Sequence, residues 1–303
     1  MVSIVTPSLN QGRFIEETIL SVKNQTYPRI EHIVVDGGST DETLDILRKY
    51  GDSLIWMSEP DSGQSDAINK GWRMANGEIL AYLNSDDTYM PWAVQTAVEF
   101  LAENPGVAMV YGNGDFTNEH GEVTRHYETS EFDLKRMLCS HNHVPQPTVF
   151  FRKEVLDEIG YFDTELHLAM DQDYWIRISV KFRIEHVPKT LATMRFHPGA
   201  KIPSQYHRTV YDHLRILDKF YAGPDPPQPL LSYRRRAYGA VYLRASINCR
   251  SAHQPGMALK HLAKAFITNP AQFKDSSVLA QLFMAFLGKK ATKCLIKWRS
   301  RLR

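Results

Sequence analysis

Asn84, Ser85, Asp86 and Asp87 close an apolar run that begins at Ile79. Adjacent carboxylates repel one another, and burying them is costly unless a cation or hydrogen-bond donors compensate. Asn, Ser and Asp also form turns readily, and Pro91 can open a helix, so a plain turn accounts for the same residues. The sharper alternative is a divalent cation on the pair. Hard oxygen ligands suit Mg²⁺ and Mn²⁺, and one or two carboxylates suffice where substrate phosphates complete the shell. A second acidic pair, Asp171 and Asp173, stands where Trp175, Ile176 and Val180 set up helical spacing. The helix dipole alone favours carboxylates at such a start. One of them facing a substrate hydroxyl would be a general base. Asp173 has a plainer partner in Arg177, four residues on.

These residues need elements to position them. "VSIVT", "EHIVVD", "LIWMS" and "EILAYLN" read as strands. Phe14–Asn24, Asp41–Tyr50, Asp66–Ala75 and Pro91–Asn104 read as the helices between and after them. That alternation predicts an α/β, Rossmann-like, mostly parallel sheet with helices on both faces. Ligands of such sheets sit beyond the carboxyl ends of the strands. There the sequence places Thr6, Pro7, Ser8 and Asn10, then Asp36 with "GGS", then Glu59 and Asp61, then the Asn84–Asp87 run. Further on, "GDFTNEHGEVTRHY" reads as a hairpin, Lys153–Ile159 as a short helix, "FRIEHV" as a strand and "MRFHPGAK" as a loop carrying Arg195 and His197. Trp56, Trp72 and Trp92 read as core, Arg13 and Lys70 as solvated surface, and His141 and His143 as loop residues.

The 303 residues are 43% hydrophobic and 23% charged, an ordinary globular composition. No leader peptide is read at the N-terminus, and no apolar run reaches the ~18 residues of a membrane span. Cys139, Cys249 and Cys294 are far apart, give no zinc spacing and suit a reducing, cytoplasmic setting. The net charge of +2 conceals an asymmetry: residues 234–303 carry 15 Lys and Arg against Asp275 alone, which is +14. "GPDPPQP", 223–229, reads as a Pro-rich linker between residues 1–222 and a basic helical extension, 230–303.

Five blocks in register resemble the family 2 inverting glycosyltransferases of GT-A fold: "VSIVTPSLNQGRFIEETILSVKNQTYP", "IVVDGGSTDET", "EPDSGQSDAINKG", "LNSDD" and "AMDQDYWIR". The resemblance covers about residues 1–200. It implies a nucleotide-diphosphate sugar donor, UDP in the first instance, held by a donor half of about 1–112. An acceptor half, about 113–222, would take a glycan or lipid-linked hydroxyl in polysaccharide, glycolipid or envelope synthesis. Carried over by position, Thr6, Pro7 and Ser8 line the base pocket with Asn10 nearby, and Asp36 binds base or ribose. Asp66 helps hold the donor, and Asn84, Ser85 and Asp86 replace the Asp-X-Asp motif. Asp86 is then the ligand of Mn²⁺ or Mg²⁺, with Asp87 as an outer or alternate ligand, and Asp171 is the catalytic base; His197 is either a further metal or phosphate ligand or a plain polar-loop residue. Arg195 with His197 resembles a late R-x-H element near the diphosphate; apart from the resemblance, Asp173 and Arg195 are candidates for the acceptor side, as is Gln146, whose plainer reading is that it satisfies backbone groups between its two prolines. Asn84 and Met170 depart from the pattern, where acidic residues are common.

The extension includes one tetratricopeptide-like helix pair, which is expected to pack on the catalytic domain or to join two copies as a homo-oligomer. Its apolar "VLAQLFMAFLG" and basic "KKATKCLIKWRSRLR", with Trp298, suit peripheral contact with an anionic membrane on the cytoplasmic face. Nucleic acid is not an expected partner. Two rivals stand beside the transferase. A sugar nucleotidyltransferase would want a Gly-rich basic loop after the first strand, where only Gly12 occurs. A catalytically silent scaffold would not need Asp36, Asp86 and Asp171 intact.

Overall fold

The computed structural model describes residues 1–199, 208–223, 227–282 and 286, with Asp52 by backbone only. Strands β1 (Val2–Ser8), β2 (Ile30–Asp36), β3 (Ile55–Ser58) and β4 (Ile79–Tyr82) lie in the order β3-β2-β1-β4, every pairing parallel. Helices α1 (Ile15–Lys23), α2 (Thr43–Tyr50), α3 (Gln64–Met74) and α4 (Ala93–Glu103) alternate with or follow them. Every residue of β1 is buried, as a strand covered on both faces requires. A second group follows: β5 (Thr88–Tyr89), β6 (Val107–Thr117), β7 (Val123–Tyr127), β8 (Phe150–Arg152) and β9 (Arg183–Arg195). Among the described residues these nine strands form one sheet, continuing β4-β8-β6-β9-β5 with β7 hairpinned onto β6. β8 runs antiparallel to both neighbours, while β6 and β9 are parallel. Helices α5 (Leu134–Cys139), α6 (Glu154–Ile159) and α7 (Met170–Lys181) follow in chain order; α6 and α7 belong to this part, whereas α5 falls almost wholly in a second unit of the chain.

Two differences from the sequence expectation bear on the site. β9 is far longer than "FRIEHV" and runs through Arg195, so that residue ends a strand instead of sitting in a loop. Pairing with β6 draws Lys189–Thr193 into the sheet, with Leu191 and Ala192 buried in the core. Trp92 is exposed rather than core, its indole N–H donating to the Thr190 carbonyl at 2.9 Å.

Packing fixes where α3 can sit. A Cβ on Gly71 would lie 2.4 Å from Val5 Cγ1, so the helix rests directly on β1. Trp72, beside it, is enclosed by Phe162, Phe151 and Tyr174 at ring distances of 4.7, 5.3 and 5.4 Å. That aromatic cluster ties α3 to α7 and so sets the start of α7, where Asp171 lies.

His32 illustrates the cost of burial inside the sheet. Its Nε2 lies 3.0 Å from Thr6 Oγ1, and desolvation lowers its pKa from 6.5 to about 4. The unfolded chain protonates first as pH falls. This contribution is therefore full above pH 6.5 and is lost toward pH 4, by up to about 3 kcal/mol. Denaturant midpoints of wild type and His32→Gln are expected to converge as pH drops through that window. A constant gap between the two proteins would refute the assignment.

By contact density the chain divides into residues 1–134 with 142–200, and 135–141 with 201–303. In the second unit, helices Thr209–Ala222, Arg234–Ser251 and Pro255–Thr268 pack together. Gly239 permits the closest approach: a Cβ there would lie 2.6 Å from Asn269 Cβ. The helix Thr209–Ala222, which the sequence reading grouped with the catalytic domain, clusters here. Pro224–Pro226 of the expected linker, Cys294, Trp298 and the rest of the 287–303 segment lie outside the described residues. Among the described residues no helix is long and apolar enough to cross a membrane.

Candidate active site

The carboxyl ends of β1, β2 and β4 open onto one crevice, as parallel strands with helical crossovers require. At the end of β1, Thr6 turns its hydroxyl inward to His32, away from the crevice. Ser8 is buried, and its hydroxyl has no hydrogen-bond partner among the described residues. A buried orphan hydroxyl at a strand end suits a ligand group that would complete it. Asn10 takes a left-handed conformation, φ 52°, and its Oδ1 accepts from the Thr40 N–H at 2.8 Å.

Asp36 is fully buried at the end of β2. Its Oδ2 accepts from Gly38 N at 3.0 Å, Ser39 N at 2.9 Å and Ser58 Oγ at 2.7 Å, and its Oδ1 accepts from Ser39 Oγ. The carboxylate thus shapes the Gly37–Ser39 turn, in which Gly38 adopts φ +88°. At the start of α3, Asp66 accepts from Ser62 N at 3.1 Å and lies 3.5 Å from Lys70 Nζ. The Ser62 amide and Lys70 hold its pKa below the usual range, against the opposing effect of burial. Lys70 also pairs with Glu59 at 2.8 Å.

The Asn84–Asp87 run divides its two carboxylates by environment. Asp87 is buried and accepts from Arg195 N at 2.9 Å and from Asn84 Nδ2 at 3.1 Å. Burial first, and Asp86 second, push its carboxyl well above the ordinary range. Asp86 keeps 21% of its side chain exposed, and its Oδ2 lies 3.1 Å from His197 Nε2. His197 packs against the Phe14 ring at 4.7 Å. A cleft of about 350 Å³ opens beside it, lined in part by Asn10, Arg13, Phe14, Asp41 and Glu119.

The pair fits a small hard cation. Two atoms on adjacent positions of an octahedral ion, at 2.0–2.1 Å and a right angle, stand about 3 Å apart. Among the described residues no three His, Cys, Asp or Glu side chains converge on a metal position. An ion held by Asp86 and His197 would have coordination positions open to phosphate or water oxygens.

Arg195 is buried and fully committed. Its Nε donates to Asp86 O at 3.0 Å, one terminal nitrogen to Glu119 O at 3.1 Å and the other to Glu17, while the guanidinium lies over Phe14 at 5.1 Å. Asp171, the second residue of α7, is half-buried. Its Oδ2 accepts from Asn142 Nδ2 at 2.8 Å and its Oδ1 from Gln172 N at 2.8 Å. Asp173 is 3% exposed and bound to Arg177 Nε at 2.8 Å. Asp171 and Asp87 both act on the Tyr82 phenol, raising its pKa after burial, so the two acidic groups belong to one region.

A family model described as glycosyl transferase family 2 matches residues 3–160, just over half the chain. The chain is a family 2 glycosyltransferase. It is 34% identical over 182 residues to an uncharacterized glycosyltransferase of Mycobacterium tuberculosis, covering 59% of this chain and 69% of that protein. It is 32% identical over 182 residues to a PGL/p-HBAD biosynthesis glycosyltransferase of Mycobacterium bovis, covering 58% and 69%. Among solved structures, S. aureus TarS 1–349 in complex with UDP-GlcNAc superposes with TM-score 0.59 at 18% identity, over 87% of this chain and 90% of that one. The mannosyltransferase PcManGT from Pyrobaculum calidifontis, in complex with GDP-Man and Mn²⁺, gives 0.61 at 19%, over 94% and 86%. The chain spans 54% of the longer TarS structure. These structures share the GT-A fold with this family 2 chain.

The matched segment ends before Asp171, Arg195 and His197. Several participants were not singled out from sequence. Gln64 Nε2 donates to Asn84 Oδ1 at 2.6 Å, and Asn142 holds Asp171. Asn69, in the "AINKG" stretch, is spent on both backbone groups of Phe162, at 3.0 Å each. Nothing in local spacing links such pairs.

Proposed function

We propose that this chain transfers a sugar from a nucleotide-diphosphate donor, UDP in the first instance, to an acceptor hydroxyl with inversion. The observation that carries the reading is Asp86, reachable by solvent and 3.1 Å from His197, in one region with Asp171 at the carboxyl end of the parallel strands. TarS and PcManGT, solved with UDP-GlcNAc and with GDP-Man and Mn²⁺, support the class of donor and of ion.

In this reading Pro7, Ser8, Asn10 and the turn shaped by Asp36 receive the base and ribose, and the Ser8 hydroxyl gains its missing partner. Asp66 and Ser85 border the donor, and Asp86 with His197 holds Mn²⁺ or Mg²⁺. When bound, that ion neutralises charge developing on the diphosphate leaving group. Asp171, in the first turn of α7, accepts the proton of the acceptor hydroxyl. The oxygen forms its bond to the anomeric carbon as the bond from that carbon to the diphosphate oxygen breaks with its electron pair. One displacement inverts the centre, and no covalent enzyme intermediate is required. Asp173 and Arg195, committed to Arg177 and to Asp86 and Glu17, support this frame rather than meet the acceptor.

Residues 1–222 serve as the catalytic domain in this reading, 223–229 as a linker and 230–303 as an extension. The PGL/p-HBAD assignment of a relative supports a glycolipid or envelope glycan as product. An anionic cytoplasmic membrane face is the proposed setting, because residues 234–274 carry eight Lys and Arg and no acidic residue.

Calorimetric titration with uridine, thymidine and guanosine diphosphates, with and without Mn²⁺, tests the site. One nucleotide is expected to bind in a Mn²⁺-dependent manner, and Asp86→Ala is expected to abolish that dependence. Binding indifferent to Mn²⁺ removes the cation from the mechanism. Absence of binding by all three removes the transferase reading.

A further inference from the structure

Three side-chain amides cross the site in a line. Gln146 Nε2 donates to the Tyr82 carbonyl at 2.8 Å. Asn84 Nδ2 donates to Gln146 Oε1 at 3.0 Å and to Asp87 Oδ2 at 3.1 Å. Gln64 Nε2 donates to Asn84 Oδ1 at 2.6 Å. An amide can be turned end for end without changing its shape, so the direction of such a line needs an anchor. The Tyr82 carbonyl supplies it, because a backbone carbonyl only accepts. Gln146 must therefore give its NH₂ to Tyr82 and its oxygen to Asn84. Asn84 must then give its NH₂ to Gln146 and Asp87, which leaves its oxygen for Gln64. One backbone carbonyl at the end of β4 thus sets the polarity of the whole line.

We propose that Gln64, Asn84 and Gln146 form a polarity-locked relay that positions Asp87, and with it the adjoining Asp86, and that Asn84 is not a cation ligand. Asn84 has a single ligating atom, Oδ1, and Gln64 occupies it. Its NH₂ supplies one of the two N–H donors to buried Asp87, the other being Arg195 N. The relay also joins the start of α3 to the Gln146–Thr148 turn, so the donor side and the acceptor side of the crevice are set together. A carboxylate at position 84 could accept from Gln64 but would present no hydrogen to Asp87 or Gln146.

The critical variant is Asn84→Asp. If position 84 ligated the cation, the added charge would tighten Mn²⁺ binding. The relay requires the opposite: a lower melting temperature without ligand, and Mn²⁺ affinity in the presence of UDP weakened about tenfold or more. The exchanged pair Asn84→Asp/Asp87→Asn returns an N–H donor between the two positions and is expected to recover most of the melting temperature. Gln64→Leu removes a donor without adding charge at a half-buried position. It is expected to weaken Mn²⁺ binding, followed by electron paramagnetic resonance of free Mn²⁺, with a smaller change in melting. Tighter Mn²⁺ binding in Asn84→Asp, or Mn²⁺ affinity unchanged in Gln64→Leu, overturns the proposal. The Mn²⁺ measurements rest on the donor-site reading, whereas the melting measurements do not. Should wild type bind no Mn²⁺ with UDP, that reading fails, and recovery of melting by the exchanged pair still decides the relay.

Discussion

Asp171→Asn is expected to lower kcat by about 10²- to 10⁴-fold, the usual worth of a positioned general base. Donor affinity should be unchanged, because the substituted group lies on α7 and not among the strand ends assigned to the nucleotide. The amide keeps the size of the carboxylate and can still accept from Asn142, which limits structural loss. What disappears is the capacity to take a proton at neutral pH. Asp173 cannot replace it, since its carboxylate is enclosed and bound to Arg177. Single-turnover rates and donor titration on the same variant separate the two effects. A variant that turns over at the wild-type rate would place the base elsewhere. One that loses donor affinity in parallel would move Asp171 to the donor side.

The largest expected effect on stability comes from Arg195→Met. The methionine retains much of the stem packing, but two part-buried carbonyls, of Asp86 and Glu119, lose their donors, at up to ~1–3 kcal/mol each. Glu17 is 58% exposed and can turn to water, so loss of the ion pair adds little. A total of about 2–4 kcal/mol is expected in urea denaturation. Mn²⁺-dependent nucleotide binding should weaken as well, because the Asp86 backbone and the approach to His197 both hang on this side chain. Arg183→Met, at an exposed position paired with Glu185, serves as control and should alter neither property. Equal behaviour of the two variants would show that the clamp on Asp86 is dispensable.

The parallel block was legible because its signals are local. Strand runs such as Ile30–Asp36, helical spacing from Ile15, and polar residues directly after each strand sit within a few positions of one another. The family resemblance rested on the same local blocks. Local reading failed where partners are far apart in sequence. Arg195 read as a loop cation, yet it is buried by contacts with Glu17, Asp86 and Glu119. Gln146 lay between two prolines with no visible partner, and Asn84 is 62 residues away from it. Thr6 was expected to face the base, but alternation along β1 turns it inward toward His32. Trp92 read as core by type alone, although it lies at the surface against β9.

The contact between Asp86 and His197 spans 111 residues. It closes only when β9, the last strand among the described residues, has joined β6, and such distant pairing is slow to form. During synthesis the N-terminal strands emerge first, and domains build from that end. A nascent chain can therefore complete its parallel block, with the acidic run already in place, well before the imidazole that faces it exists. On the proposed reading, competence to hold a cation arrives late in the life of the polypeptide, and a half-made chain carries the scaffold of the site without the residue that would complete it.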